Sequence, residues 1–204
     1  MAARAGSERI AMWALSAACL LPAAWLIWRT LSNQLGANPI EEIIRELGVW
    51  GLRLLILDLA VSPAAQLARQ PRLIRYRRPI GLFAFGYVCL HLAAFIGLDQ
   101  FFDWSAIWKD ILKRPFITFG MVGFALLAPL ALTSTNAALR RLGPHMWRRL
   151  HQLAYAAAIL GVVHYYMLVK ADHRPPLIYG AVLAILLGYR LARWTMRRAA
   201  RAAA

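Results

Sequence analysis

Apolar residues in this chain gather in long uninterrupted runs, with short polar segments between them. Six runs, at about 10–28, 47–67, 80–98, 115–133, 151–169 and 177–194, are long enough, or nearly so, to cross a ~30 Å hydrocarbon layer at ~1.5 Å per residue. The pattern predicts an all-α integral membrane protein, a six-helix bundle forming one domain over residues 1–204. Two polar segments carry order of their own. NPIEEIIREL (38–47) has a proline followed by acids, which suits a helix start. FDWSAIWKDILKRP places Trp104, Ile107, Trp108 and Ile111 on one helical stripe, suited to resting on a membrane surface.

Composition agrees with a bilayer. Of the 204 residues 61% are hydrophobic and only 16% charged, yet the net charge is +15. A sticky nucleic-acid binder could share those totals, but here arginine clusters punctuate uncharged runs and no recognition module is present. Arg4 and Arg9 precede the first run. Arg69, Arg72, Arg75, Arg77 and Arg78 follow the second, and Arg140, Arg141, Arg148 and Arg149 follow the fourth. Arg193, Arg197, Arg198 and Arg201 lie in the tail. Seven of the nine acids, Glu41, Glu42, Glu46, Asp99, Asp103, Asp110 and Asp172, fall in the alternate loops. The positive-inside rule then puts both termini and the two arginine loops in the cytoplasm. The first run reads as a span closed by Trp25 and Trp28, and a cleaved signal peptide is the lesser alternative. Cys19 and Cys89 both lie within apolar runs, which argues against a disulfide framework or a cysteine metal site. There is no dinucleotide or phosphate-loop fingerprint.

The histidines carry the chemistry. His145 and His173 read as surface residues of loops. His91 lies about 11 residues into the third run, ~16 Å deep, and His164 about 13 residues into the fifth, ~19 Å deep. Those runs are parallel, so the two imidazoles share a depth in the outer half of the bilayer. Ionisable groups inside spans are rare and usually functional. With no carboxylate or cysteine at that depth to complete a zinc tetrahedron, two facing imidazoles suit a b-type haem between helices three and five. Ala154, Ala157 and Gly161 leave one face of the fifth run nearly bare, for a macrocycle or for close helix packing. His151 sits ~19 Å from His164 along an ideal helix but roughly 140° around it. It therefore belongs to an irregular helix start or serves another group. Beside it, Arg77 and Arg78 suit an anion such as a phosphate or a propionate. Arg53, in the second run, is too far round the helix to pair well with Asp58 and is expected to meet a haem propionate or to snorkel outward.

Four stretches together resemble a known family: RRPIGLFAFGYVCLH, DWSAIWKDILKRPFITFG, LALTSTNAALRRLGPHMWRRLH and HYYMLVKAD. They are similar to the MsrQ (YedZ) family, haem-binding membrane subunits of the bacterial periplasmic methionine sulfoxide reductase system, within the ferric-reductase-like transmembrane group. The resemblance implies an inner-membrane, multi-pass subunit with heme b, one or two per chain, at His91, His164 and, as the third histidine of the pattern, His151. It implies electron delivery to a periplasmic molybdopterin catalytic subunit, from membrane quinol or a cytoplasmic flavin reductase. Relatives with arginines at positions like Arg77 and Arg78 imply a bound flavin, FMN, near the cytoplasmic face. The substrate chemistry then belongs to the partner. A stand-alone transmembrane ferric or cupric reductase is the alternative reading, and a cofactor-free scaffold or transporter is a third.

Overall fold

The computed structural model describes residues 2–202; the side chains of Arg4 and Arg201, two of the charges used above for orientation, lie outside the described residues. Among the described residues the regular elements are helical. In chain order they are α1 (Ala2–Leu31), α2 (Pro39–Leu67), a 3-10 turn (Pro71–Tyr76), α3 (Arg77–Ala94), a π turn (Phe95–Asp99) and α4 (Trp104–Lys113). Then follow α5 (Pro115–Leu132), α6 (Asn136–Leu150), α7 (Leu153–Leu168) and α8 (Arg174–Ala202).

Among the described residues, five helical stretches are long and apolar enough to cross a membrane, and the sixth expected crossing is shorter. The run expected at 151–169 forms helix only over Leu153–Leu168. At its start, His151 caps the preceding helix α6 instead of opening α7, and at its end Val169 turns to extended backbone. Sixteen residues at ~1.5 Å each rise ~24 Å, so α7 spans most of an apolar layer and not all of it.

Helix α2 is the centre. Its apolar stretch is mostly buried, whereas those of α1 and α8 are mostly open, so the flanking helices present bare apolar surface where lipid would cover it. The tightest pairs are α2 with α3 and α5 with α7, two antiparallel hairpins that meet through α3 with α5 and α2 with α7. Small residues permit this closeness, because lipid offers no hydrophobic drive between helices and contact area must do the work. The missing Cβ of Gly51 faces Val88, and that of Gly161 lies against Leu52 Cδ1 at 3.3 Å. Ala154 and Ala157 are buried in the same core. The bare face of α7 therefore packs against helices, the second of its two expected uses.

The start of α2 follows its sequence. The Asn38 side chain accepts from the Glu41 amide, Pro39 takes the first turn, and Glu42 bonds Arg29 at 2.6 Å, tying in the end of α1. Helix α4 is capped by Asp103, but its apolar stripe divides. Ile107 is buried, whereas Trp104 and Trp108 stay exposed. Helix α6 breaks at Gly143, whose φ of 74° suits a residue without a Cβ, and Pro144 restarts it. That break turns Trp147 and His151 back over the end of α5.

Candidate functional site: two imidazoles between two hairpins

His91 projects from α3 and His164 from α7, and their ring centres lie 6.0 Å apart with planes at 82°. The two histidines expected to share a depth are thus brought together. Each ring is fixed the same way. His91 Nδ1 is 2.8 Å from the Ile44 carbonyl oxygen on α2, and His164 Nδ1 is 2.6 Å from the Phe116 carbonyl oxygen on α5. A carbonyl can only accept, so Nδ1 carries the proton in both rings and donates it. Both Nε2 atoms are left with a lone pair. Imidazoles that ligate metals are commonly held in this way, with the second nitrogen donating to a carbonyl.

The spacing fits a shared metal. Imidazole–metal bonds of about 2.0–2.1 Å on each side, with the ring centres beyond them, put two ligating rings about 6 Å apart. The donor set is two neutral nitrogens, which suits the two axial positions of a haem iron. Between the same two hairpins, Phe85 of α3 stacks on Phe124 of α5 at 5.7 Å. Among the described residues no group of three His, Cys, Asp or Glu forms an alternative metal site.

His151 lies apart from this pair, in the turn between α6 and α7. Its ring stacks on Trp147 at 3.7 Å, and its Nε2 lies 3.2 Å from Thr133 Oγ1. The Thr133 hydroxyl donates its only proton to the Pro129 carbonyl at 2.6 Å, so it accepts from His151 Nε2–H. Burial, then the charges of Arg77 and Arg78, push the His151 pKa down to about 4. The arginines are thus within electrostatic reach, though they are not two free cations. Arg77 is paired with Asp58 at 3.2 Å, and Arg78 donates to Asn136 at 2.8 Å. Asp58 is the residue that sequence reasoning missed. Its own helix offers it only Arg53, at a poor angle; its partner comes from α3, nineteen positions on.

Arg53 lies at the exposed end of its helix face. Its Nε donates to the Tyr179 hydroxyl at 2.8 Å, and its guanidinium covers Trp50 at 4.7 Å. His145 is exposed, and His173 packs on Tyr166 at 4.8 Å.

Two glycines at the pair also escaped the sequence reading. A Cβ on Gly48 would sit 2.9 Å from His91 Nδ1, and one on Gly120 would sit 3.0 Å from His164 Nδ1. Their signal was faint, since glycine is common in membrane helices.

Comparison with known proteins gives a consistent context. Residues 47–162 match the family described as the ferric reductase like transmembrane component. A Caulobacter vibrioides protein named protein-methionine-sulfoxide reductase heme-binding subunit MsrQ is 61% identical over 183 residues, covering 90% of this chain and 86% of its own. A protein of the same name from Rhodospirillum rubrum is 52% identical, covering 94% and 92%. Another, from Azospira oryzae, is 53% identical, covering 84% and 74%.

Proposed function

The chain belongs to the ferric-reductase-like transmembrane family, among the MsrQ proteins, and from that membership we propose that it is a membrane b-type cytochrome serving a methionine sulfoxide reductase. It passes electrons from quinol or a cytoplasmic flavin reductase to a periplasmic molybdopterin catalytic subunit. The observation that carries this reading is the His91–His164 pair, with ring centres 6.0 Å apart and each Nδ1 bonded to a carbonyl. When bound, haem supplies a one-electron carrier whose potential its ligands tune. The protein holds the imidazoles in the ligating tautomer and surrounds them with apolar helix faces. The arginine-rich end faces the cytoplasm of a bacterial inner membrane, so the histidine pair lies toward the periplasm and the partner.

At the opposite end, His151, Arg77 and Arg78 form the electron-input rim. The Asp58 pair supports a division of labour there. Arg77 is neutralised within the protein, while Arg78 is free of that carboxylate and suited to a flavin phosphate or a haem propionate. His151 supplies a neutral ring to the wall of that rim, stacked on Trp147. Arg53 is proposed to reach a propionate of the outer haem from its place beside Tyr179; Arg53→Leu should shift the haem potential or weaken haem retention, and an unchanged protein would remove that contact.

The test is spectroscopic. Purified protein should show a Soret band and one haem or more per chain. His91→Ala and His164→Ala should each abolish the low-spin haem at this site. Full haem content and a low-spin spectrum in either variant would exclude the pair.

A further inference from the structure

The two halves of the site repeat one device. In each, a histidine of one helix donates to a carbonyl of the antiparallel neighbour, 47 positions earlier for His91 and 48 for His164. In each, that carbonyl lies four residues before a glycine, Ile44 before Gly48 and Phe116 before Gly120. A helical carbonyl already accepts from the amide four residues on, and its second lone pair points sideways out of the ladder. A side chain at that fourth residue would flank the approach. In both places it is missing.

We propose that Gly48 and Gly120 are positioning residues, paired notches through which the imidazoles reach a helix carbonyl, and that they set the affinity and potential of the bound haem. This rests on the haem reading above. An added Cβ would stand 2.9 Å from His91 Nδ1 or 3.0 Å from His164 Nδ1. Ordinary contact needs about 3.5 Å or more, so the ring would have to retreat by about 0.5 Å. That stretches the 2.8 Å bond of His91 past the ~3.2 Å limit of a good N–H···O contact, and the 2.6 Å bond of His164 close to it. Without metal, the ring escapes by rotating. With Nε2 held on an iron, it cannot escape without straining the ligand bond. The cost therefore falls on the loaded state, and the fold is largely spared.

The hydrogen bond also carries chemistry. An Nδ1–H that donates strongly lends the ring imidazolate character and makes it a better ligand for ferric iron. Its loss favours the ferrous form and raises the midpoint potential. Gly86, also on α3, is the control, since a Cβ there meets nothing within 4 Å.

Gly48→Ala and Gly120→Ala should each weaken haem retention about 10–100-fold against a haem-scavenging apoprotein, as loss of an outer partner to a metal ligand does. Each should also raise the midpoint potential and alter the low-spin EPR signal, while Gly86→Ala leaves all three unchanged. Size-exclusion profiles and thermal unfolding of the haem-free forms should match wild type. Wild-type retention, potential and EPR in both variants would overturn the inference. If a variant does not fold, hyperfine spectroscopy of the wild-type ferric protein in H2O and D2O decides. Exchangeable, hydrogen-bonded protons on the remote nitrogens of both ligands support the notches, and their absence refutes them. Wild type without a Soret band overturns the haem reading itself; wild type with one and unaltered alanine variants overturns only the notches.

Discussion

His151 and His164 close the two ends of one apolar stretch, yet they hold their protons on opposite nitrogens. His164 donates from Nδ1 to Phe116, which frees Nε2; His151 is engaged through Nε2 with Thr133. One ring keeps a free Nε2 lone pair, and the other stays neutral beside two arginines. The second has a consequence for pH. Its native pKa, about 4, lies below the ordinary value of 6.5. The unfolded chain therefore binds a proton that the native ring refuses, and stability rises with pH across that interval. The contribution is complete above about pH 6.5, is lost as pH falls toward 4, and changes no further below. Thermal unfolding in detergent should show a steeper loss between pH 6.5 and 4 for wild type than for His151→Gln. Parallel curves would mean that the imidazole is not held neutral.

At the scale of the helix, polar side chains repair what proline and packing disturb. Pro63 lies inside α2 and has no N–H, so the Leu59 carbonyl four residues back lacks its ladder partner. Arg190 of α8 donates to that carbonyl and rests over the Tyr155 ring of α7 at 5.2 Å. One guanidinium thereby joins three helices at the carbonyl of a fully buried residue. Tyr87 does the same for α1. Its hydroxyl accepts from the Ala23 amide at 2.9 Å and donates to the Cys19 carbonyl at 2.8 Å, spliced into the ladder just beside Pro22. Arg190→Leu should destabilise the protein by about 1–3 kcal/mol, the usual cost of a charged donor's lost hydrogen bond. Adding Pro63→Ala restores the missing amide and should recover part of it. Equal melting temperatures for wild type and Arg190→Leu would show that the bond contributes nothing.

On the proposed function, the two chemistries separate along the bilayer normal. His151 lies in the turn just before α7 begins at Leu153, and His164 lies eleven residues further on, ~16 Å along that helix, so the rim and the imidazole pair sit toward opposite ends of it. If electrons come in at the rim, changes there should slow haem reduction without releasing haem. Arg77 is a poor probe, because its removal leaves Asp58 buried without its partner. Arg78→Ala and His151→Ala are cleaner. Each should slow reduction by a quinol analogue or a flavin reductase in stopped-flow experiments while the haem content stays at the wild-type level. Wild-type rates in both variants, with both donors, would place the input elsewhere.

What the sequence alone determined were the properties carried by single segments. Run lengths and loop charges anticipate an all-helical protein with several candidate membrane helices, because helix formation and partition into lipid depend on local composition. The alignment of His91 with His164 was legible because parallel helices convert residue counts into depth. The partners were not legible. Asp58 with Arg77, Ile44 with His91, Phe116 with His164 and Arg190 with Leu59 join different helices, and no periodicity within one helix specifies which face a neighbour presents. Which of the two expected uses His151 would take, an irregular helix start or service to another group, was not legible for the same reason. A stacking partner, Trp147, and the hydroxyl of Thr133, which caps α5, hold that residue in a turn. Tertiary packing decided these points, since a buried polar group takes its position from whichever partner can satisfy it, and that partner is chosen only when the helices meet.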